Sequence, residues 1–214
     1  NWKLKEDAIA DEFIIEKRQE GASTWTEGDR VSGSTFQYLE TGINTDITAF
    51  EYKIIANNAC GDRVESEVHK SILLKGFQDE DFNSIVSFGD YEGWLNGVDF
   101  YDIYLAANGG AYALEAANAD GLPLSLTHDA SQFRKCFRVK AEEFLDENTN
   151  SWSNEICFFF APQIYVPNAF TANNDGLNNG FGDRGVAINE FDIKIYNRWG
   201  EKLYESDDMD KKWI

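Results

Sequence analysis

The chain has 214 residues, with 38 acidic and 19 basic side chains, a formal net charge of −19 and a pI near 4.4. That balance excludes nucleic acid as a partner, because a phosphate backbone needs a clustered Lys/Arg footprint and the basic residues here stand singly or in pairs. A hydrophobic content of 43% with 14% aromatics excludes wholesale disorder; the longest apolar run, Ile156-Cys157-Phe158-Phe159-Phe160-Ala161, falls far short of the ~20 residues of a spanning helix, so the chain reads as not membrane-spanning.

Three prolines, 17 glycines and an abundance of Phe, Tyr, Ile and Val suit short strands and turns. No window carries a sustained apolar stripe at helical spacing, so the expected class is all-β. The chain opens with Trp2 in an apparent strand, and Phe13-Ile14-Ile15-Glu16-Lys17 is the next. Phe36-Gln37-Tyr38-Leu39 follows, then Phe50–Ala56, where Phe50, Tyr52, Ile54 and Ala56 share a face. Asn57-Asn58-Ala59-Cys60-Gly61 reads as a turn, and Ser66-Glu67 leads into a strand at Ser71-Ile72-Leu73-Leu74. A second series repeats this order. Phe100-Tyr101-Asp102-Ile103-Tyr104-Leu105 answers the first strand, Asn108-Gly109-Gly110 marks a hairpin turn, and Cys136-Phe137-Arg138-Val139-Lys140-Ala141 answers Tyr52–Ala56. Ser153-Asn154 then leads into Ile156–Phe160 as Ser66-Glu67 leads into Ile72–Leu74.

A repeat of several short strands predicts tandem β-sandwiches. The Tyr-x-Ile/Val-x-Ala strand and the serine step into the last strand resemble immunoglobulin-like or fibronectin type III modules. By that resemblance Trp2 occupies the place of a second-strand core tryptophan, so the first copy starts part-way through, with an exposed edge unless an upstream segment covers it. Short joints at Lys75-Gly76 and Ala161-Pro162 divide the chain into 1–75, 76–161 and 162–214.

Cys136 and Cys157 fall on strands read as neighbours, which makes a bridge geometrically plausible. Cys60 has no evident mate: its partner lies upstream of Asn1, or it is a buried free thiol. Tyr91 and Trp94, in a polar-aromatic loop, read either as a sugar-stacking platform or as the cap of a sandwich core. His69 and His128 are expected at the surface near strand ends. There is no His-Glu-x-x-His, no Gly-x-Ser-x-Gly elbow and no glycine-rich phosphate loop. The chain is therefore read as no enzyme, with no catalytic residues and no metal site.

The last stretch is the most informative. Ile164-Tyr165-Val166-Pro167-Asn168-Ala169-Phe170 is strand-prone up to a proline suited to an edge or bend. Asn173-Asn174-Asp175-Gly176 is a cluster of turn formers. Phe191, Ile193 and Ile195 alternate with Asp192, Lys194 and Tyr196, and Arg198-Trp199-Gly200-Glu201 reverses the chain into Lys202-Leu203-Tyr204, a hairpin. Clustered Asn and Asp oxygens between Asn173 and Asn179 invite calcium as a cofactor, but Asp175 is the only charge there and EF-hand spacing is absent, so a solvated Asx turn is the favoured reading. The run Asp207-Asp208-Met209-Asp210-Lys211-Lys212 reads as a solvated turn.

These three blocks resemble the gliding motility-associated C-terminal domain, the type B sorting signal of Bacteroidetes. Its pattern is aromatic-Val-Pro-Asn-Ala-Phe, a Thr-Pro-Asn-Gly-Asp-Gly-Leu-Asn-Asp loop, then Ile-Tyr-Asn-Arg-Trp-Gly; this chain departs from it at Ala172, Asn174 and Asn179. The resemblance implies a partial β-sandwich sorting domain, and a secreted or cell-surface protein exported by the type IX secretion system. It implies recognition by outer-membrane translocon components through Pro167, Asn168, Phe170, Asn173, Asp175, Gly176, Asn178, Arg198, Trp199 and Gly200. Trp199 is expected with one ring face packed and the packed face dominating. Two alternatives stand beside this reading: an adhesin or carbohydrate-binding array facing cell-surface glycans, and the non-catalytic tail of an exported hydrolase.

Overall fold

The computed structural model describes residues 2–4, 8–127, 129, 131–171, 179–182, 184–186, 188 and 190–213, and none of these is helical. The protein is all-β. Its first five strands are β1 (Glu12–Gln19), β2 (Thr26–Ser32), β3 (Phe50–Asn57), β4 (Arg63–Glu65) and β5 (His69–Lys70). They form one sheet in the order β2-β1-β3-β4, with β5 also on β3. Phe13, Ile14 and Ile15 are consecutive and all buried, so β1 is covered on both faces. On β3 the residue with no exposure at all is Ile55, on the face opposite Tyr52 and Ile54.

Phe36–Leu39 is not a strand. The Phe36 ring instead packs 5.8 Å from that of Phe13, and the Tyr38 hydroxyl donates to Asp29. The strand that does flank β1 is Thr26–Ser32, whose sequence Thr-Glu-Gly-Asp-Arg-Val-Ser has no apolar alternation. An exposed edge strand needs none, because backbone pairing alone holds it; hence it left no signal in the sequence.

Eight strands follow: β6 (Leu74–Gln78), β7 (Ser84–Phe88), β8 (Val98–Ala107), β9 (Ala113–Ala116), β10 (Leu124–Leu126), β11 (Arg134–Glu143), β12 (Asp146–Trp152) and β13 (Ile156–Phe159). One sheet runs β10-β7-β6; the other runs β12-β11-β8-β9, with β13 also on β11. Ile72, Leu74, Val86 and Leu126 bury against Ile103, Phe137, Val139 and Ala141 between them. The strand expected at Ser71–Leu74 therefore begins at Leu74 and runs on to Gln78, paired with β7. Inward side chains alternate cleanly along β11, and even Lys135 is 2% exposed, its ammonium donating to the Thr127 carbonyl at 2.8 Å.

The two larger sheets are built alike. Ile15 pairs with Ile54 in the first and Ile103 with Val139 in the second. In each, a serine ends the pairing of the next strand. Ser66 Oγ accepts the Ile54 N–H at 2.9 Å, and Ser153 Oγ accepts the Val139 N–H at 2.9 Å. Each hydroxyl then donates to the carbonyl of the following residue, Glu67 or Asn154, at 2.7 Å. The side chain thus replaces one rung of backbone pairing and lets the strand step over before it rejoins as β5 or β13. Glu51 faces Lys70 across the first step, and Cys136 faces Cys157 across the second. Cys136 and Cys157 are joined as a disulfide with Cα atoms 4.1 Å apart. Cys60 is free and exposed, contrary to a buried thiol.

The first sheet meets the second unit through β5. The Lys70 N–H donates to the Glu92 carbonyl at 2.9 Å, and its ammonium pairs with Glu92 and Glu20. His69 Nδ1 and the Tyr91 hydroxyl lie 2.6 Å apart, so His69 is no surface residue but part of this joint. Gly93 sits at φ +124°, and a Cβ there would come within 2.7 Å of the imidazole. Tyr91 and Trp94 stack at 4.0 Å and pack against the second core, so they close the end of the sandwich and offer no open platform. His128 lies outside the described residues.

Two outcomes follow from this packing. Ser153→Ala leaves the buried Val139 N–H without its acceptor and is expected to cost about 1–3 kcal/mol, read by urea unfolding of the second unit. Burial pushes the His69 imidazole below its ordinary value, with Glu143 and Glu67 pulling weakly the other way. The unfolded chain then binds that proton more readily, so stability rises with pH and falls as pH drops below about 6.5. His69→Gln is expected to remove that part of the slope between about pH 7 and pH 5 in thermal unfolding.

Candidate functional site

Four strands complete the chain: β14 (Gln163–Tyr165) pairs with β15 (Arg184–Val186), and β16 (Ile193–Tyr196) with β17 (Lys202–Ser206). Strand β14 ends two residues before Pro167, which stands half-buried beside the bend at exposed Asn168. The missing proline N–H thus falls where no ladder needs it. Phe170 turns inward. Its ring lies 5.8 Å from Phe181 and 5.4 Å from Trp213, whose backbones exchange two hydrogen bonds of 2.8 Å. These three rings are the small core of the C-terminal unit. Asn173, Asp175, Gly176 and Asn178 lie outside the described residues, and most of the Asn173–Asn179 loop read as a calcium alternative lies there too.

The β16–β17 hairpin follows its sequence pattern: Phe191, Ile193 and Ile195 are half-buried, and Asp192, Lys194 and Tyr196 are exposed. Asn197 organises its tip. Its Oδ1 accepts the N–H groups of Trp199 and Glu201, both at 3.0 Å, and its Nδ2 donates to the Glu201 carboxylate at 3.0 Å. The Gly200 N–H donates to the Asn197 carbonyl at 3.0 Å, and Gly200 takes φ +85°, the left-handed conformation that favours glycine. With the turn thus tied from within, Trp199 has nothing to fold onto. It is 75% exposed, and the Arg198 guanidinium lies 4.2 Å above its ring. The expectation that its packed face dominates is therefore corrected: at 75% exposure the open part of the ring dominates.

Of the ten residues singled out from sequence, Arg198, Trp199 and Gly200 come together in one turn, while Phe170 belongs to the aromatic core. Asn197, Phe181 and Trp213 were missed. The Asn-x-x-Gly spacing is an Asx-turn signal that could have found the first; the other two depend on contacts between distant segments. The acidic run after β17 is the exposed turn expected, and it is tied down at both ends. Ser206, itself buried, donates to the Asp208 carbonyl and accepts the Asp208 N–H, both at 3.0 Å, and the Tyr204 hydroxyl donates to the Lys211 carbonyl at 2.9 Å. The grouping of Cys136, Glu155 and Cys157 offers no thiolate to a metal, since the two sulfurs are bonded to each other.

Residues 164–214 match the family described as CHU_C Type IX secretion signal domain. A type IX secretion signal is a non-catalytic sorting tag, and it directs its protein across the outer membrane, to the cell surface or to the medium. No curated protein matches the chain. Among the described residues there is no helix long and apolar enough to cross a membrane.

Substitutions separate the tip from the core. Trp199→Ala is expected to change stability by less than about 0.5 kcal/mol, as exposed substitutions do. Phe170→Ala removes the central ring of the aromatic trio and is expected to cost at least about 2 kcal/mol. Calorimetry of the C-terminal unit distinguishes the two.

Proposed function

We propose that residues 164–214 are the surface by which the outer-membrane type IX translocon reads this protein, with the Arg198-Trp199-Gly200 turn as the principal contact. The observation that carries this reading is the 75% exposure of Trp199 under the Arg198 guanidinium, on a turn already tied by Asn197. A rigid exposed indole gives a large amphipathic contact at low entropic cost, and Trp and Arg are the side chains that most often dominate binding energies. Exposed Asn168 and, from the same motif upstream of the hairpin, Asn173, Asp175, Gly176 and Asn178 are its proposed secondary contacts. Pro167 and Phe170 act by shaping the strand and core beneath.

Upstream, the chain is proposed to carry two fibronectin type III-like units that hold a surface protein's working part away from the membrane, in adhesion or gliding. The proposed divisions are those of the sequence, at Lys75-Gly76 and Ala161-Pro162, and the burial of Ile72 and Leu74 in the second core favours drawing the first a few residues earlier. The Cys136–Cys157 bond fits this destination, since an oxidising exterior favours it. No step of chemistry is assigned to these units.

A reporter joined ahead of residue 164, keeping the protein's natural C-terminus, is expected to reach the surface or medium of a type IX-competent host. Replacing Arg198 and Trp199 together by Ala is expected to lower the exported fraction at least about fivefold without loss of folded protein. Retention of the reporter unless residues 1–163 are restored would place the signal elsewhere, and normal export of the double variant would remove the tip from the contact.

A further inference from the structure

The internal repeat supplies a control for the larger sheet of the second unit. On the matching face of the first sheet, Lys53 pairs across the strands with Glu16, and the fully buried Ile55 with Glu65. The charged side chains form a network: Lys53 lies 3.1 Å from Glu16 and 2.9 Å from Glu65, and Arg63 lies 3.1 Å from Glu65. At the matching register of the second sheet, Arg138 pairs with Tyr104 and Lys140 with Trp152. Glu16 is thus replaced by Tyr104, and Glu65 by Trp152. The two rings meet 5.1 Å apart, and Trp152 remains 44% exposed.

Other parts of this face are common to both units. Lys53 lies 4.9 Å over the Trp25 ring, and Arg138 lies 5.1 Å over the Tyr112 ring at the corresponding place. That cation–ring contact belongs to the fold. The Tyr104–Trp152 pair does not, because the same strand pairing stands with two glutamates in its place. The half-buried Tyr104, the 44% exposed Trp152 and the exposed Leu114 make a contiguous apolar strip of the kind that serves a partner.

From this difference we propose that the outward face of β8, β9, β11 and β12 binds a neutral polysaccharide, with Tyr104 and Trp152 as stacking rings. The electron-rich ring faces suit the polarised C–H groups of a pyranose. Leu114, exposed and paired with Tyr104, extends the apolar strip. Charge selects the neutral ligand. Arg138 is matched by Glu155 at 3.4 Å and Lys140 by Glu142, so the face offers no net cation, while the chain as a whole at −19 repels polyanions.

The test is electrophoresis of the chain in native gels containing laminarin, xyloglucan, glucomannan or alginate. Retardation is expected in at least one neutral glycan and not in alginate. The double variant Tyr104→Glu with Trp152→Glu, which gives the second unit the first unit's residues, is expected to lose that retardation while its thermal midpoint stays within about 2 °C of the parent. Trp152→Ala alone is expected to weaken retardation at least about fivefold. Absence of retardation in all three neutral glycans, retardation in alginate alone, or retention of binding by the double variant would each overturn the proposal. So would a larger fall in its midpoint, which would make the pair part of the fold.

Discussion

The arrangement of both larger sheets depends on one substitution of a side chain for a backbone rung. At Ser153 the hydroxyl oxygen accepts the N–H of Val139, a residue with no solvent exposure, and the hydroxyl donates to the Asn154 carbonyl. The last strand is thereby split into β12 and β13, both on β11. The step also frees the Asn154 amide, which accepts the Leu74 N–H at 2.7 Å and donates to the Leu74 carbonyl at 3.0 Å. A single asparagine thus bonds one sheet to the backbone of the other. Unpaired N–H groups are costly in a core, so a step of this kind survives only where a side chain satisfies each group it exposes. Everything beyond it, including the Cys136–Cys157 register and the outward set of Trp152, inherits its position from Ser153.

The chain's acidity is handled locally. On the first sheet, Glu16 and Glu65 gather around Lys53 and Arg63; on the C-terminal hairpin, Glu205 gathers Lys194 and Lys202. Such exposed pairs contribute little to stability individually. Their effect is to tie most cations to nearby carboxylates, leaving the molecule negative outward and soluble. Against that background, two of the places where aromatic rings reach solvent are distinct in kind. One is the Arg198–Trp199 tip of the sorting signal; the other is the Tyr104–Trp152 face of the second unit. Neither ring is held by a core, and each stands on a turn or sheet that is satisfied without it.

Much of the fold was legible because it rests on local pattern. Period-two alternation located β3 and the β16–β17 hairpin, strand-prone apolar and β-branched runs located β1, β8, β11 and β13, and the turn residues Asn108-Gly109 adopt the positive φ angles of 53° and 79° that their hairpin needs. The serine steps were visible as an unexplained likeness between Ser66-Glu67 and Ser153-Asn154; their hydrogen bonds show why the likeness exists. Strands without alternation, such as Thr26–Ser32 and Arg63–Glu65, were invisible, since edge strands exposed on both faces are held by backbone bonds that any sequence can make. Phe36–Leu39 failed for the opposite reason: an apolar-looking stretch was drawn off as a loop to cover Phe13.

The sequence by itself determined the all-β class, the repeat, and the three motif blocks of the secretion signal, because each is written in spacing along the chain. Only the tertiary structure decided where rings and charges go. Trp199 stands open because Asn197 closes the turn beneath it; Tyr91 and Trp94 pack, half-buried, against the second core; His69 is half-buried at a joint between units. Exposure of a side chain depends on what distant segments bring against it. No local pattern carries that information, so the same residue type could read as a binding platform in one loop and prove a core cap, while the Tyr104–Trp152 surface lay unremarked on two separate strands.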